Sequence, residues 1–131
     1  MKMPELWDVQ DRRRVEQVMD VFVNTCQRWK LSNQETLILL GYGDSPLLGS
    51  QILDSRMLAT PQDARDRAAH VLAISLGLGA LFKENADAER KWLNLPHSKL
   101  NAKTPLAFML EGRMVNIFTV LGLVEQERGV A

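Results

Sequence analysis

The side chains able to do chemistry in this chain are few and scattered. It holds one cysteine, Cys26, and two histidines, His70 and His97. A structural zinc site takes four clustered Cys or His ligands; these three stand far apart, so no metal and no cofactor is expected. His70 follows Asp66 by four residues, the helical spacing of a surface ion pair, and His97 beside Pro96 reads as an exposed loop residue. A nucleophile needs Ser or Cys next to a base and an orienting group. Cys26 instead falls on an apolar stripe and is expected to pack as an inert small hydrophobe. Gly41-Tyr42-Gly43 and Gly77-Leu78-Gly79 are not phosphate loops: neither follows a strand, neither has a third glycine in place, and no Gly-Lys-Ser/Thr occurs. No catalytic residue emerges, and the chain is expected to bind rather than to catalyse.

The elements that would position these residues are all helical. A helix from about Asp8 to Arg28 carries Val15, Val18, Met19, Phe22, Cys26 and Trp29 on one face, with Arg12, Arg13, Asp20, Asn24 and Arg28 toward solvent. Ser32-Asn33-Gln34-Glu35 is a capping box; it opens a short helix, Thr36 to Leu40, that Gly41 ends. Ser45-Pro46 supplies an N-cap and an N1 proline for a helix through Leu47, Leu48, Ile52 and Leu53. Thr60-Pro61 starts another, to about Phe82. Its small residues Ala69, Ala73, Gly77 and Ala80 form a stripe for a close helix neighbour, and an apolar surface nearly all round places it centrally. Further helices are expected at Ala86 to Leu93, Leu106 to Glu111 (capped by Thr104-Pro105, ended by Gly112) and about Met114 to Glu127. The last should present Val115, Phe118, Leu121 and Val124 to one side. Asn94 to Lys103 is a loop, and Gly129-Val130-Ala131 a tail with no structural duty. Alternation of strand period is absent. The expectation is therefore an all-α fold: a compact helical bundle with an N-terminal helix-turn-helix-like module. Its two regions are 1–59 and 60–131, with a soft boundary between Ser55 and Thr60.

Composition narrows the setting. The 131 residues are 46% hydrophobic and 24% charged, and sixteen Lys plus Arg balance sixteen Asp plus Glu. That is enough apolar material for a core, and the charge balance differs from the basic excess usual in proteins that grip phosphate backbones. A lone cysteine suits a reducing compartment. Met1 to Gln10 lacks the apolar run of a secretory signal, and Val71 to Phe82 is shorter than the roughly 20 residues that cross a bilayer. The chain is expected to be cytoplasmic, with no membrane partner. The helix, glycine turn and helix from Ser32 onward have the layout of a helix-turn-helix. Its recognition helix would read DNA through Ser45, Ser50, Gln51 and Arg56. Between Ser32 and Thr60, however, Glu35, Asp44 and Asp54 face the single base Arg56, so the electrostatic footprint of a groove reader is missing.

From Trp29 onward the sequence resembles the antitoxins of the Xre/MbcA/ParS family, partners of RES-domain toxins. The echoes run in order. First comes Trp29-Lys30-Leu31-Ser32 with Glu35 and Leu39-Leu40-Gly41, then Asp66-Arg67-Ala68 and the leucine-rich run to Leu81-Phe82. The C-terminal region is the strongest match: Ala88-Glu89-Arg90, Trp92-Leu93, Pro96, Leu100, Thr104-Pro105-Leu106, Met109-Leu110 and Gly112, closing in Val120-Leu121, Glu125 and Gly129-Val130-Ala131. About three quarters of the chain is covered. The resemblance implies an antitoxin whose C-terminal region docks on a NAD-consuming toxin and obstructs its cleft, and which binds the promoter of its own operon. Carried over by position, the docking residues are Trp92, Pro96, Lys103, Thr104, Pro105, Gly112 and the tail Arg128, Gly129, Val130 and Ala131. His97 stands where the family usually has Asn, and Asn101-Ala102 where glycines are frequent, which predicts a loop of different shape.

The leading expectation is thus a toxin-neutralising antitoxin, with a RES-domain toxin as partner and a homodimer as its form, two-fold pairing being favoured by operator symmetry. The alternative is a helix-turn-helix DNA-binding regulator without a toxin partner. A helical adaptor comes third, and an enzyme last.

Overall fold

The computed structural model describes residues 5–55 and 62–129, the side chains of 5–16, 52 and 55 excepted. The described residues form helices only. They are α1 (Glu5–Arg28), α2 (Asn33–Leu39), α3 (Pro46–Ser55), α4 (Gln62–Phe82), α5 (Ala86–Leu93), a 3-10 turn (Ser98–Leu100), α6 (Pro105–Met109) and α7 (Met114–Arg128). The all-α bundle follows as expected. The Thr60-Pro61 cap and the expected regional boundary fall at 56–61, outside the described residues. Among the described residues no single helix is long and apolar enough to cross a membrane.

Local sequence explains where the helices begin and stop. Ser32 Oγ accepts from the Glu35 amide at 3.1 Å while Glu35 Oε1 accepts from the Ser32 amide at 2.8 Å, so two orphan donors of α2 are satisfied together. Asn85 and Thr104 cap α5 and α6 through the amides of Ala88 and Ala107. Gly129 ends α7 with φ +76, its amide bonding the carbonyls of Gln126 and Glu125. The glycine is therefore consumed by the helix, because only a residue without Cβ enters the left-handed region at little cost.

α4 lies at the centre and packs against α1, α5 and α7. Met19, Phe22 and Cys26 of α1, Val71, Ile74 and Leu78 of α4, and Ile117, Val120 and Val124 of α7 share one buried core. Burial raises the Cys26 thiol pKa to about 12, far above pH 7, so the inert packing expected for it is what the fold imposes. α4 and α7 run side by side in one direction. Arg67 near the start of α4 donates to the Gly112 carbonyl just before α7 at 2.7 Å, and further along Gly77 meets Val124.

Three expectations on these helices are corrected. First, the small-residue stripe of α4 does not make the contact as a unit. Ala69 and Ala80 are exposed, and the buried face is Ala64, Ala68, Val71, Ile74 and Leu78. Gly77 is where α7 comes close: a Cβ there would lie 2.5 Å from Val124 Cγ1. Second, α7 turns a different face inward. Val115 and Phe118 are exposed, and Asn116, Ile117, Val120, Leu123 and Val124 are buried. Asn116 sets that rotation, for its amide donates to the Phe108 carbonyl at 2.9 Å and to Glu111 Oε1 at 3.1 Å. The Phe108 carbonyl at the end of α6, which also accepts from the Glu111 amide at 3.3 Å, thereby gains a second donor. Third, Asp66 accepts from Gln62 Nε2 at 2.7 Å rather than engaging His70. The His70 ring meets Phe118 edge-on, centroids 5.4 Å apart, a favourable aromatic geometry.

One polar node ties α1 to α5. Glu89 is fully buried, and Arg28, expected in solvent, reaches it with Nη2 at 2.6 Å from Oε2 and Nε at 3.3 Å from Oε1. The Trp29 indole N–H lies 3.4 Å from Oε1, and Arg28 also donates to the Glu84 carbonyl at 2.8 Å. Hydrogen bonding to Glu89 raises the Arg28 pKa above its ordinary value. A buried carboxylate demands such pairing.

Candidate functional site

The segment between α5 and α6 is exposed yet tightly built. His97 N–H donates to the Lys103 carbonyl at 3.0 Å, and the His97 carbonyl accepts from Leu100 at 3.0 Å and Ala102 at 3.1 Å. His97 Nδ1 accepts from the Lys99 amide at 3.1 Å. Leu100 is buried and pins the loop to the core. The chain then reverses through two successive left-handed residues, Asn101 at φ 55 and Ala102 at φ 65. For a residue with a Cβ such as Ala this conformation costs of the order of 1 kcal/mol, and strain of this kind persists only where the surroundings hold it. Lys83 at φ 51 and Glu84 at φ 62 make the same pair of left-handed residues between α4 and α5, so what distinguishes the α5–α6 loop as the candidate site is that Pro96, Lys103, Thr104 and Pro105, expected to dock, lie in it or at its end. The expected loop is there, but with a 3-10 turn inside it. The left-handed backbone falls at the two positions where the resemblance leads one to expect glycine.

Around this loop the expected docking residues sort by accessibility. Pro96 and Lys103 are exposed, and Lys103 Nζ donates to Glu111 Oε2 at 2.6 Å. That hydrogen bond is the main reason the Glu111 carboxyl sits below its ordinary pKa. Trp92 is half-buried against the core. Thr104 is the N-cap of α6 and Pro105, at its first position, is buried. Gly112 has φ +89, ends the turn after α6, and gives its carbonyl to Arg67. Arg128 is exposed in the last turn of α7 with Gly129 beyond it. Val130 and Ala131 lie outside the described residues.

Two residues of this surface were given no role by the sequence reading, although Lys99 falls within the expected Asn94 to Lys103 loop. Leu95 is 50% exposed, and an apolar residue beside Pro96 in an otherwise polar stretch was the available signal. Lys99 Nζ donates to Gln126 Oε1 of α7 at 2.7 Å, a contact across 27 residues that spacing could not disclose. Between Lys99 and α7 opens a cleft of about 280 Å³ lined by His97, Lys99, Leu123, Gln126 and Glu127.

The DNA-reading candidates Ser45, Ser50 and Gln51 are exposed at and on α3, which rests on α2; Arg56 lies outside the described residues. The same helix exposes Leu47 to 82% and Leu48 to 50%. Gly49 packs closely on α2 and the turn after it, where a Cβ would lie 2.7 Å from Tyr42 Cβ and 2.8 Å from Leu37 Cδ2.

Comparison with known proteins finds no family model that matches. It does find the uncharacterized protein y4oB of Sinorhizobium fredii (strain NBRC 101917 / NGR234). That protein is 31% identical over 122 residues, which cover 91% of this chain and 90% of the relative.

Proposed function

This chain belongs to the family of y4oB, and we propose that it is an antitoxin that binds and silences a RES-domain, NAD-consuming toxin through its C-terminal third. One observation carries the reading: an exposed loop held rigid by its own hydrogen bonds, left-handed at Asn101 and Ala102. Those are the positions where the Xre/MbcA/ParS antitoxins, which the chain resembles, frequently place glycine. A preformed loop loses little entropy on docking, which favours a tight complex. The adjoining helices α5, α6 and α7 fix its orientation, and the Arg28–Glu89 pair fixes α5 in turn. A homodimer, in the cytoplasm, is the form in which we expect it to work.

Promoter binding through α3 is the weaker role. Ser45, Ser50 and Gln51 are accessible, but residues 32–55 contain Glu35, Asp44 and Asp54 and no base, whereas phosphate contacts supply most of the affinity for DNA. The test of the main reading is co-expression with a RES-domain toxin. The toxin alone should deplete cellular NAD and arrest growth, and this chain should restore both. Continued NAD depletion despite soluble, helical protein would refute it. A gel shift on the upstream DNA should show weak, salt-labile retention; tight retention at 150 mM salt, on the order of nanomolar, would instead favour the regulator.

A further inference from the structure

The surface around the α5–α6 loop has a definite chemical character. Residues 94–104 carry two bases, Lys99 and Lys103, and no acid, and Arg90, Lys91 and Arg113 lie on the flanking segments with the acid Glu111, in a protein neutral as a whole; Glu127 of α7 is the acid among the residues lining the adjoining cleft. Part of that charge is already spent. Arg90 pairs with Asp87 and Lys103 with Glu111. Lys99 differs, because the partner of its ammonium is the neutral amide of Gln126. An ammonium on a neutral amide gains a hydrogen bond but no charge compensation, so an incoming carboxylate adds Coulomb energy there. Lys99 lines the cleft of about 280 Å³ together with His97, Leu123, Gln126 and Glu127. Leu95 and Pro96, both exposed, extend the apolar character of the loop.

We propose that this loop receives an acidic protein surface: a partner carboxylate pairs with Lys99, and an apolar side chain next to it enters the cleft lined by Leu123. The proposal rests on the reading of the C-terminal third as a docking surface and specifies the chemistry of its partner. Charge complementarity selects that occupant, and the apolar residues select protein over nucleic acid. A single-stranded nucleic acid is held by a track of free cations with aromatic platforms between them. Residues 94–104 contain no Phe, Tyr or Trp, and two of the nearby cations are already paired.

The test uses the full chain as bait for a displayed library of random twelve-residue peptides, with a duplex DNA of the same salt history as a parallel ligand. Selected peptides should be rich in Asp and Glu with Leu or Phe alongside. Their binding should shift the amide resonances of Leu95 to Lys103 and of Leu123 to Gln126. Lys99→Glu should weaken them by about tenfold and Lys99→Gln by less, since reversal replaces attraction by repulsion. Gln17→Glu, which adds a negative charge on the outer face of α1, should leave binding unchanged. Lys99 is exposed, so circular dichroism should show both variants fully helical. Selection of basic or uncharged peptides, or of none, would overturn the proposal. So would K99E binding as well as the parent, or duplex DNA bound through Lys99. The co-expression assay separates the two readings. A chain that fails to neutralise the toxin but selects Lys99-dependent acidic peptides keeps the surface and loses the antitoxin role; the reverse result removes only the surface.

Discussion

Arg28→Met isolates the polar node on which the position of α5 depends. The Glu89 side chain is 1% exposed and that of Arg28 is 38% exposed. Removing one member of a fully buried ion pair typically costs about 3–5 kcal/mol, because the survivor is left uncompensated. Here the guanidinium is more than a third in solvent and its attraction is partly screened, so roughly 2 kcal/mol is the expected loss. For a chain of this length that corresponds to a fall of about 7 °C in Tm. The assay is urea denaturation at pH 7 with an unchanged m-value, which keeps the comparison within two states. Arg28→Met combined with Glu89→Met should recover most of the loss, since replacing both partners by apolar groups of similar size removes the stranded charge. The effect should persist at 1 M salt, where exposed pairs vanish. A single-variant cost under about 0.5 kcal/mol, or an additive cycle, would refute the view that this pair anchors α5.

Gly77→Ala should destabilise by about 1–3 kcal/mol despite the better helix propensity of alanine, because the added Cβ would sit 2.5 Å from Val124 Cγ1 and overpack the α4–α7 seam. Gly122→Ala, with nothing within 4 Å, should stabilise by up to about 1 kcal/mol, and matched urea curves compare the two. Cys26, its thiol pushed up to about 12, should react with a disulfide reagent at pH 8 roughly three orders of magnitude more slowly when folded than in urea; equal rates would mean the site opens freely. Glu111 is held below its ordinary value of 4.5, chiefly by the Lys103 hydrogen bond, so its stabilising contribution is complete above that pH and is lost as pH falls through the folded value. Lys103→Met should therefore flatten the decline in stability as pH falls below about 4.5, read from urea midpoints over that descent.

Much of the scaffold was legible because it is written locally. The capping box at Ser32, the Thr104-Pro105 start of α6 and the glycine after α7 are short-range hydrogen-bonding devices, and their partners lie within four residues. What the sequence hid was rotation. Residues 114–124 are apolar on nearly every side, so periodicity could not choose a buried face. The choice fell to Asn116, whose partners on α6 and in the turn after it become visible only once the chain is folded. The same holds for Arg28, a solvent-side residue by helical spacing whose partner lies 61 positions away. In the candidate site, Pro96 and Lys103 were found by resemblance. Lys99 was not, because its significance rests on a contact with α7.

The resemblance-derived residues therefore divide by what the fold already asks of them. Thr104, Pro105, Gly112 and Gly129 each satisfy a backbone requirement: a helix cap, an N1 position, or a left-handed turn. Gly112 also feeds Arg67, which lies against Gly41 closely enough that a Cβ there would come within 3.0 Å of its Nε. Substituting any of these perturbs the scaffold first, so a loss of partner binding in such variants carries no information about contact. Pro96, Lys99 and Leu95 are exposed, and the Lys99–Gln126 hydrogen bond joins two side chains, so it holds no backbone group in place. A docking surface should show its energy in residues of this second kind, since the free protein gives up little when they are changed. A binding defect confined to the structural glycines and caps, with Leu95, Pro96 and Lys99 silent, would place the contact elsewhere on the molecule.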